Sequence, residues 1–189
     1  MSMRWREIQE IPAHKFTCGY CDSVVSSDRG YEGKNSKTGA AGHIRICPHC
    51  VRPSFFLGAL QIPGVMPGNE VGQLPKDIEA LYLEARGAIS VDCFTASVLI
   101  CRKLLMNIAV SLTAAPGKSF VEYVDFLANK NYVPPNGRGW VDHIRKKGNE
   151  ATHEIALMSK ADAMDLIAFS EMLLKFIYEF PAKVPTPNP

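Results

Sequence analysis

The chain has 189 residues, 47% of them apolar and 21% charged, with a formal net charge of +2. That length holds one full hydrophobic core and a small satellite, and so balanced a charge excludes a global field drawing the chain to nucleic acid or an anionic membrane. Residues 1–60 carry 8 basic against 5 acidic side chains, an asymmetry no larger than a solvated surface provides.

The start, Met1-Ser2-Met3-Arg4-Trp5-Arg6-Glu7, has charges with no apolar stretch behind them, unlike a secretory leader. No uncharged apolar run approaches the ~20 residues of a membrane span. The expectation is a cytoplasmic protein that does not enter a membrane. Residues 1–60 read as short extended pieces, Ile8 to Phe16, Val24-Val25 and His43 to Ile46, around a glycine-rich hairpin whose tip, Arg29 to Gly42, is expected to be mobile. Phe55-Phe56-Leu57 reads as a last strand packing the ribbon against the rest, although so short an apolar run fits strand or helix.

Two cysteine pairs punctuate this segment, Cys18-Gly19-Tyr20-Cys21 and Cys47-Pro48-His49-Cys50, with 25 residues between them. A thiolate pair two residues apart bends around one face of a cation, and a second pair closes the tetrahedron that structural Zn²⁺ prefers. Metal-binding free energy then becomes folding free energy for a segment too small to build its own core. Each pair also resembles the site of a thiol-disulfide oxidoreductase, but that chemistry needs a helix N-terminus behind the pair. Here Val51-Arg52-Pro53-Ser54 and a polar, glycine-rich stretch follow. His43 and His49 are spare donors, and four thiolates already fill the shell. The reading is a β zinc ribbon over 1–60, with Cys93 and Cys101 as reduced, buried thiols in an apolar helical pattern.

Residues 61–75 are punctuated by Pro63-Gly64, Pro67-Gly68, Gly72 and Pro75 and form an ordered connector, with apolar residues that lay it along a helical unit. Residues 76–180 read as a bundle of about five helices. The first carries Ile78, Leu81, Tyr82, Ala85 and Ile89. The second, about Asp92 to Leu112, carries Phe94, Val98, Cys101, Leu105, Ile108 and Leu112 in steps of four and three, and its Val91, Leu99, Ile100, Leu104 and Met106 widen the apolar surface, so it is the central helix. A third covers about Ser119 to Ala128, and a fourth opens after Pro134-Pro135. The last begins at a capping box, Ser159-Lys160-Ala161-Asp162, and ends at Phe180 before Pro181. The proline-rich tail, 181–189, is expected to be disordered. The fold class is mainly α, a helical bundle behind a small β zinc ribbon.

The stretch Trp140 to Glu154 admits two readings. As one continuous helix, it places Arg145, Asn149 and His153 in a single i, i+4, i+8 row, where guanidinium, amide and imidazole could grip a phosphodiester. Alternatively Lys146-Lys147-Gly148-Asn149 ends the helix, cations at the negative dipole end and glycine left-handed. Arg145 then merely pairs with Asp142 one turn earlier.

Gln61-Ile62-Pro63-Gly64-Val65, Leu74-Pro75 with Tyr82 and Glu84-Ala85, Cys101-Arg102-Lys103, and above all Ile144-Arg145 with Gly148-Asn149, Ala151 and His153 resemble the family called domain of unknown function 4145, placed among the HEPN-like helical domains, here behind a zinc ribbon. The resemblance implies a homodimer with RNA or other nucleic acid as partner, defence or stress systems of prokaryotes as its setting, and Arg145 and His153 as the pair that active HEPN domains use for metal-independent RNA cleavage. Seven residues separate Arg145 from His153, against four to six in active members, so cleavage is not the expectation. The other class of function is a noncatalytic interaction module, dimeric through the second and last helices and recruiting a protein partner through the ribbon.

Overall fold

In a computed structural model, residues 3–134, 137–153 and 157–184 are described, without the side chains of residues 138, 148 and 150–153. The chain divides into two compact units, Met1–Met66 and Pro67–Pro189.

The first unit is a five-stranded antiparallel sheet in the order β1-β2-β3-β4-β5: β1 Gln9–Thr17, β2 Val24–Lys34, β3 Ala41–Ile46, β4 Pro53–Leu57 and β5 Leu60–Ile62. Sequential order follows from tight connections, which only antiparallel neighbours allow. β2 is longer than the sequence suggests. It stays paired with β3 as far as Lys34 opposite Ala41, so the expected loop from Arg29 to Gly42 shrinks to residues 35–40, where Asn35 accepts from the Lys37 and Thr38 amides. The pairing of β1 with β2 is interrupted between Glu10 and His14. Arg45, buried, donates to Pro12 O at 2.7 Å and Ser27 O at 2.9 Å there, supplying hydrogen bonds in place of the ladder.

The second unit is helical: α1 Lys76–Ser90, α2 Phe94–Ser111, α3 Phe120–Asn129, α4 Arg138–His153 and α5 Lys160–Leu174, the last continued by a π-helical stretch, Lys175–Glu179, and a short α6, Phe180–Lys183. α2 packs against α1, α3, α4 and α5, with Val98, Cys101, Leu104, Leu105, Ile108 and Ala109 fully buried. Cys93, expected buried beside Cys101, is exposed, because it caps the start of α2 and does not lie on its inner stripe. By length and composition it is the one described helix apolar enough to span a membrane; here its buried stripe is the core of the bundle. The helix does not stop at Phe180. Pro181 falls in the first turn of α6, a position that needs no amide donor. Helix therefore covers the first residues of the expected tail, whose remainder, 185–189, lies outside the described residues.

The capping box at Ser159 forms: its hydroxyl accepts from Asp162 N at 3.2 Å, and Asp162 Oδ2 accepts from Ser159 N at 2.9 Å. Against the upward pull of burial, these Ser159 donors and Lys147, 3.0 Å away, hold the Asp162 carboxyl down at about 2. A carboxyl lowered in the folded state stabilises above its ordinary value and loses that contribution as pH falls toward 2. Ser159→Ala is expected to cost about 1 kcal/mol at neutral pH, read by denaturant melts. The deficit should shrink between pH 4 and pH 2; a deficit constant over that window would show that the carboxylate does not share in the cap.

Candidate functional site

Each cysteine pair is folded by the same local turn. In the first, Cys18 N donates to Ser23 O and Asp22 N to Cys18 O, both at 3.0 Å; in the second, Cys47 N donates to Arg52 O and Val51 N to Cys47 O, both at 2.9 Å. The residue after each pair, Asp22 at φ 53° and Val51 at φ 61°, lies in the left-handed region. That conformation is costly for β-branched valine. It is held by Trp5, whose indole Nε1 donates to Val51 O at 2.8 Å. β1 enters the first turn, β2 leaves it, β3 enters the second and β4 leaves it, so the sheet brings the two turns together.

The four sulfurs converge. Cys18 Sγ is 3.7 Å from Cys50 Sγ, Cys21 Sγ is 3.9 Å from Cys47 Sγ, and all four lie within 4.8 Å of one another with no disulfide among them. Cys50 N donates to Cys47 Sγ at 3.5 Å. Burial pushes the Cys18 thiol up to about 12 and also raises that of Cys50. Cys21 goes the other way: although burial works against it, donors from Ser23 and His49 bring it down to about 6. Four thiolates this close repel one another strongly unless a cation sits among them. The cluster is compatible with a metal site in its donor set and spacing. His49 stays outside that set, its Nδ1 3.3 Å from Ser23 Oγ, and His43 pairs with Glu32 at 3.5 Å.

The second candidate group is only partly assembled. α4 runs unbroken from Arg138 to His153, so Gly148 is no helix end, and Arg145, Asn149 and His153 do share one helix at i, i+4 and i+8. Val141 and Ile144 point into the core. Arg145, one-third exposed, has Nη1 2.7 Å from Asp142 Oδ1 and 3.5 Å from Asp125 Oδ1 on α3. Asn149 is exposed, and the His153 side chain lies outside the described residues. On α4's other flank His143 Nε2 meets Asp165 Oδ2 at 3.0 Å and Lys147 Nζ meets Asp162 Oδ1 at 3.0 Å, both on α5. The charged side chains of α4 therefore lace it to α3 and α5. Arg102 on α2 is likewise structural, its guanidinium 4.4 Å over the Phe120 ring.

Sequence reasoning did not single out Trp5, Arg45 or Arg86, each a side chain that donates to specific backbone carbonyls. An isolated Trp or Arg in a sequence carries no signal of that kind.

Residues 83–187, more than half of the chain, match the family model described as Domain of unknown function (DUF4145), and the chain belongs to that family. No curated protein and no solved structure matches it.

Proposed function

We propose that this protein is a noncatalytic interaction module in which a structural zinc ribbon is joined to an HEPN-like helical body. The observation that carries it is the bracketing of Arg145 by Asp142 and Asp125. A guanidinium stabilises a phosphoryl transition state only when its donors turn toward developing charge, and here two carboxylates compete for Nη1 and offset its charge. Apolar side chains left in solvent on the helical body, Leu99 and Val110 on α2, Met164 on α5 and Phe176 and Phe180 beyond it, support self-association and a protein partner.

Zinc suits the cysteine cluster by size. A tetrahedron with Zn–S bonds of about 2.3 Å has sulfur–sulfur edges of about 3.8 Å, and two of its edges here measure 3.7 and 3.9 Å. All four protein positions are filled by thiolates, which is the closed shell of a structural rather than a catalytic ion. Elemental analysis should return one zinc per chain; iron in its place would refute the identity of the metal.

A second reading, nucleic-acid binding through Arg145, Asn149 and His153, is favoured by the continuity of α4 through Gly148. In it, arginine and asparagine hold a phosphate and histidine moves a proton. The two readings separate in one experiment on the full, metal-loaded chain with structured and single-stranded RNA. The module predicts no metal-independent cleavage and no binding that weakens steeply with salt. Cleavage by wild-type protein that disappears in His153→Ala, with the fold intact, would overturn it in favour of a degenerate ribonuclease.

A further inference from the structure

The outward face of the ribbon sheet is unusually apolar. Register places Tyr31, Ile44, Phe55 and Ile62 directly opposite one another across β2 to β5, and Gly33, Gly42, Leu57 and Leu60 one rung further on. Alternation puts both rungs on the same side. That side is uncovered: Ile44 is 39%, Phe55 38%, Leu57 42%, Leu60 44% and Ile62 44% exposed. An antiparallel sheet with one solvated face normally carries polar residues there.

The second rung is asymmetric. Its β2–β3 half is two glycines and its β4–β5 half two leucines, so a ridge stands beside a trough of about 390 Å³ lined by Tyr31, Gly33, Gly42, Ile44, Phe55 and Leu57 among others. We propose that the occupant of this face is a second copy of the chain, packed sheet against sheet about a dyad parallel to the strands and lying between β3 and β4. Such a dyad exchanges β2 with β5 and β3 with β4. Leu60 of each copy then enters over Gly33 of the other, where the space is open, and Leu57 meets the Phe55 ring that leans over Gly42, a pairing that is self-complementary as an isologous interface demands.

Charge agrees with that occupant. Glu32 and Lys34 border the trough, but alternation turns both to the other side of β2, where they pair with each other at 3.6 Å. Neither rung brings a charged side chain to the contact, so like copies meet without repulsion, whereas a nucleic acid would find no field to hold its phosphates. Area sets the strength. With large side chains offering about 200 Å² each when bare, the five that are two-fifths exposed amount to roughly 400 Å² per copy, or ~800 Å² in all, below the ~1,200 Å² of stable specific interfaces and in the range of weak, transient ones. The association is therefore reversible. This inference rests on the interaction-module reading and names its partner.

Gly33 is the point of test, because a Cβ added there meets nothing within 4 Å in its own chain. Sedimentation velocity over a concentration series of the full, metal-loaded chain should show reversible self-association. Gly33→Leu, which fills the trough, should weaken it at least tenfold with metal content and melting temperature unchanged, and adding Leu60→Ala should restore it. A photo-crosslinking residue at position 60 should label the β2 segment of another copy. A monomeric wild type, undiminished association in Gly33→Leu, or labelling confined to the helices would overturn the ribbon pairing. The last two leave the module reading standing with a different surface, while salt-sensitive RNA binding would strike that reading and not this face.

Discussion

Cys18→Ser and Cys47→Ser should each leave residues 1–66 unfolded at neutral pH, and stripping the metal with a strong chelator under reducing conditions should do the same. The reason is the composition of the ribbon's core. Its main buried apolar cluster consists of Phe16, Phe56, Cys18 and Cys47, with Val25, Cys21 and Cys50 packed around it. More than half of that cluster is cysteine, the ligand set of the proposed zinc site. Structural zinc contributes on the order of 10 kcal/mol in small domains, as much as the whole stability of an ordinary one, so a side of the sheet held by two phenylalanines and a valine has nothing comparable to substitute. The strained Val51 and its tie to Trp5 should be lost together with the cluster. The measurement is amide hydrogen exchange: protection across β2 and β3 should fall to that of an unstructured chain, while α1, α2 and α5, buried around their own core, keep theirs. Retention of β2–β3 protection in metal-free, fully reduced protein would refute the role given to the ion.

Much of this architecture is legible in sequence wherever the signal is periodic or paired. The doubled spacing of Cys18/Cys21 and Cys47/Cys50 brings four sulfurs within 4.8 Å. The steps of four and three along α2 return as its buried stripe of Val98, Cys101, Leu105 and Ile108, and Ser159 with Asp162 makes the cap its spelling suggests. The failures share a cause: each depends on a partner distant in sequence. The glycines of β2 read as a mobile tip, because nothing local reveals that β3 will pair with them as far as Lys34. Phe55-Phe56-Leu57 does lie in a strand, β4, but only Phe56 turns inward; all three are apolar, so nothing in them says which phase faces solvent, and β3 and β5 set it. On α4, the pairing of Arg145 with Asp142 is spelled in the sequence, but the second carboxylate beside it, Asp125, comes from α3 and leaves no local sign.

Arg86 carries the largest effect expected in the helical unit, for reasons that begin with its burial at 1% exposure. A guanidinium so enclosed is tolerable only where its donors and charge are answered. Nε donates to Pro67 O at 2.7 Å and Nη2 to Gly68 O at 2.9 Å, and the guanidinium lies 5.6 Å from the Tyr82 ring centre. The loop it grips is fastened from other directions too: Tyr82 donates its hydroxyl to Asn69 O at 3.0 Å, and Asn69 donates from N and Nδ2 to Glu171 on α5, each at 2.9 Å. Gly68, at φ +73°, could carry no Cβ without meeting Tyr82 Oη at 2.8 Å. Arg86→Ala thus strands two carbonyls and opens a cavity, at about 3 kcal/mol or more, which lowers the melting temperature by roughly 10 °C. Arg86→Lys should recover little of it, since one ammonium cannot reproduce the guanidinium's divergent donors. Calorimetry of the three proteins decides the matter, and a melting temperature for Arg86→Ala within about 2 °C of wild type would mean that the buried guanidinium costs as much in desolvation as its hydrogen bonds return.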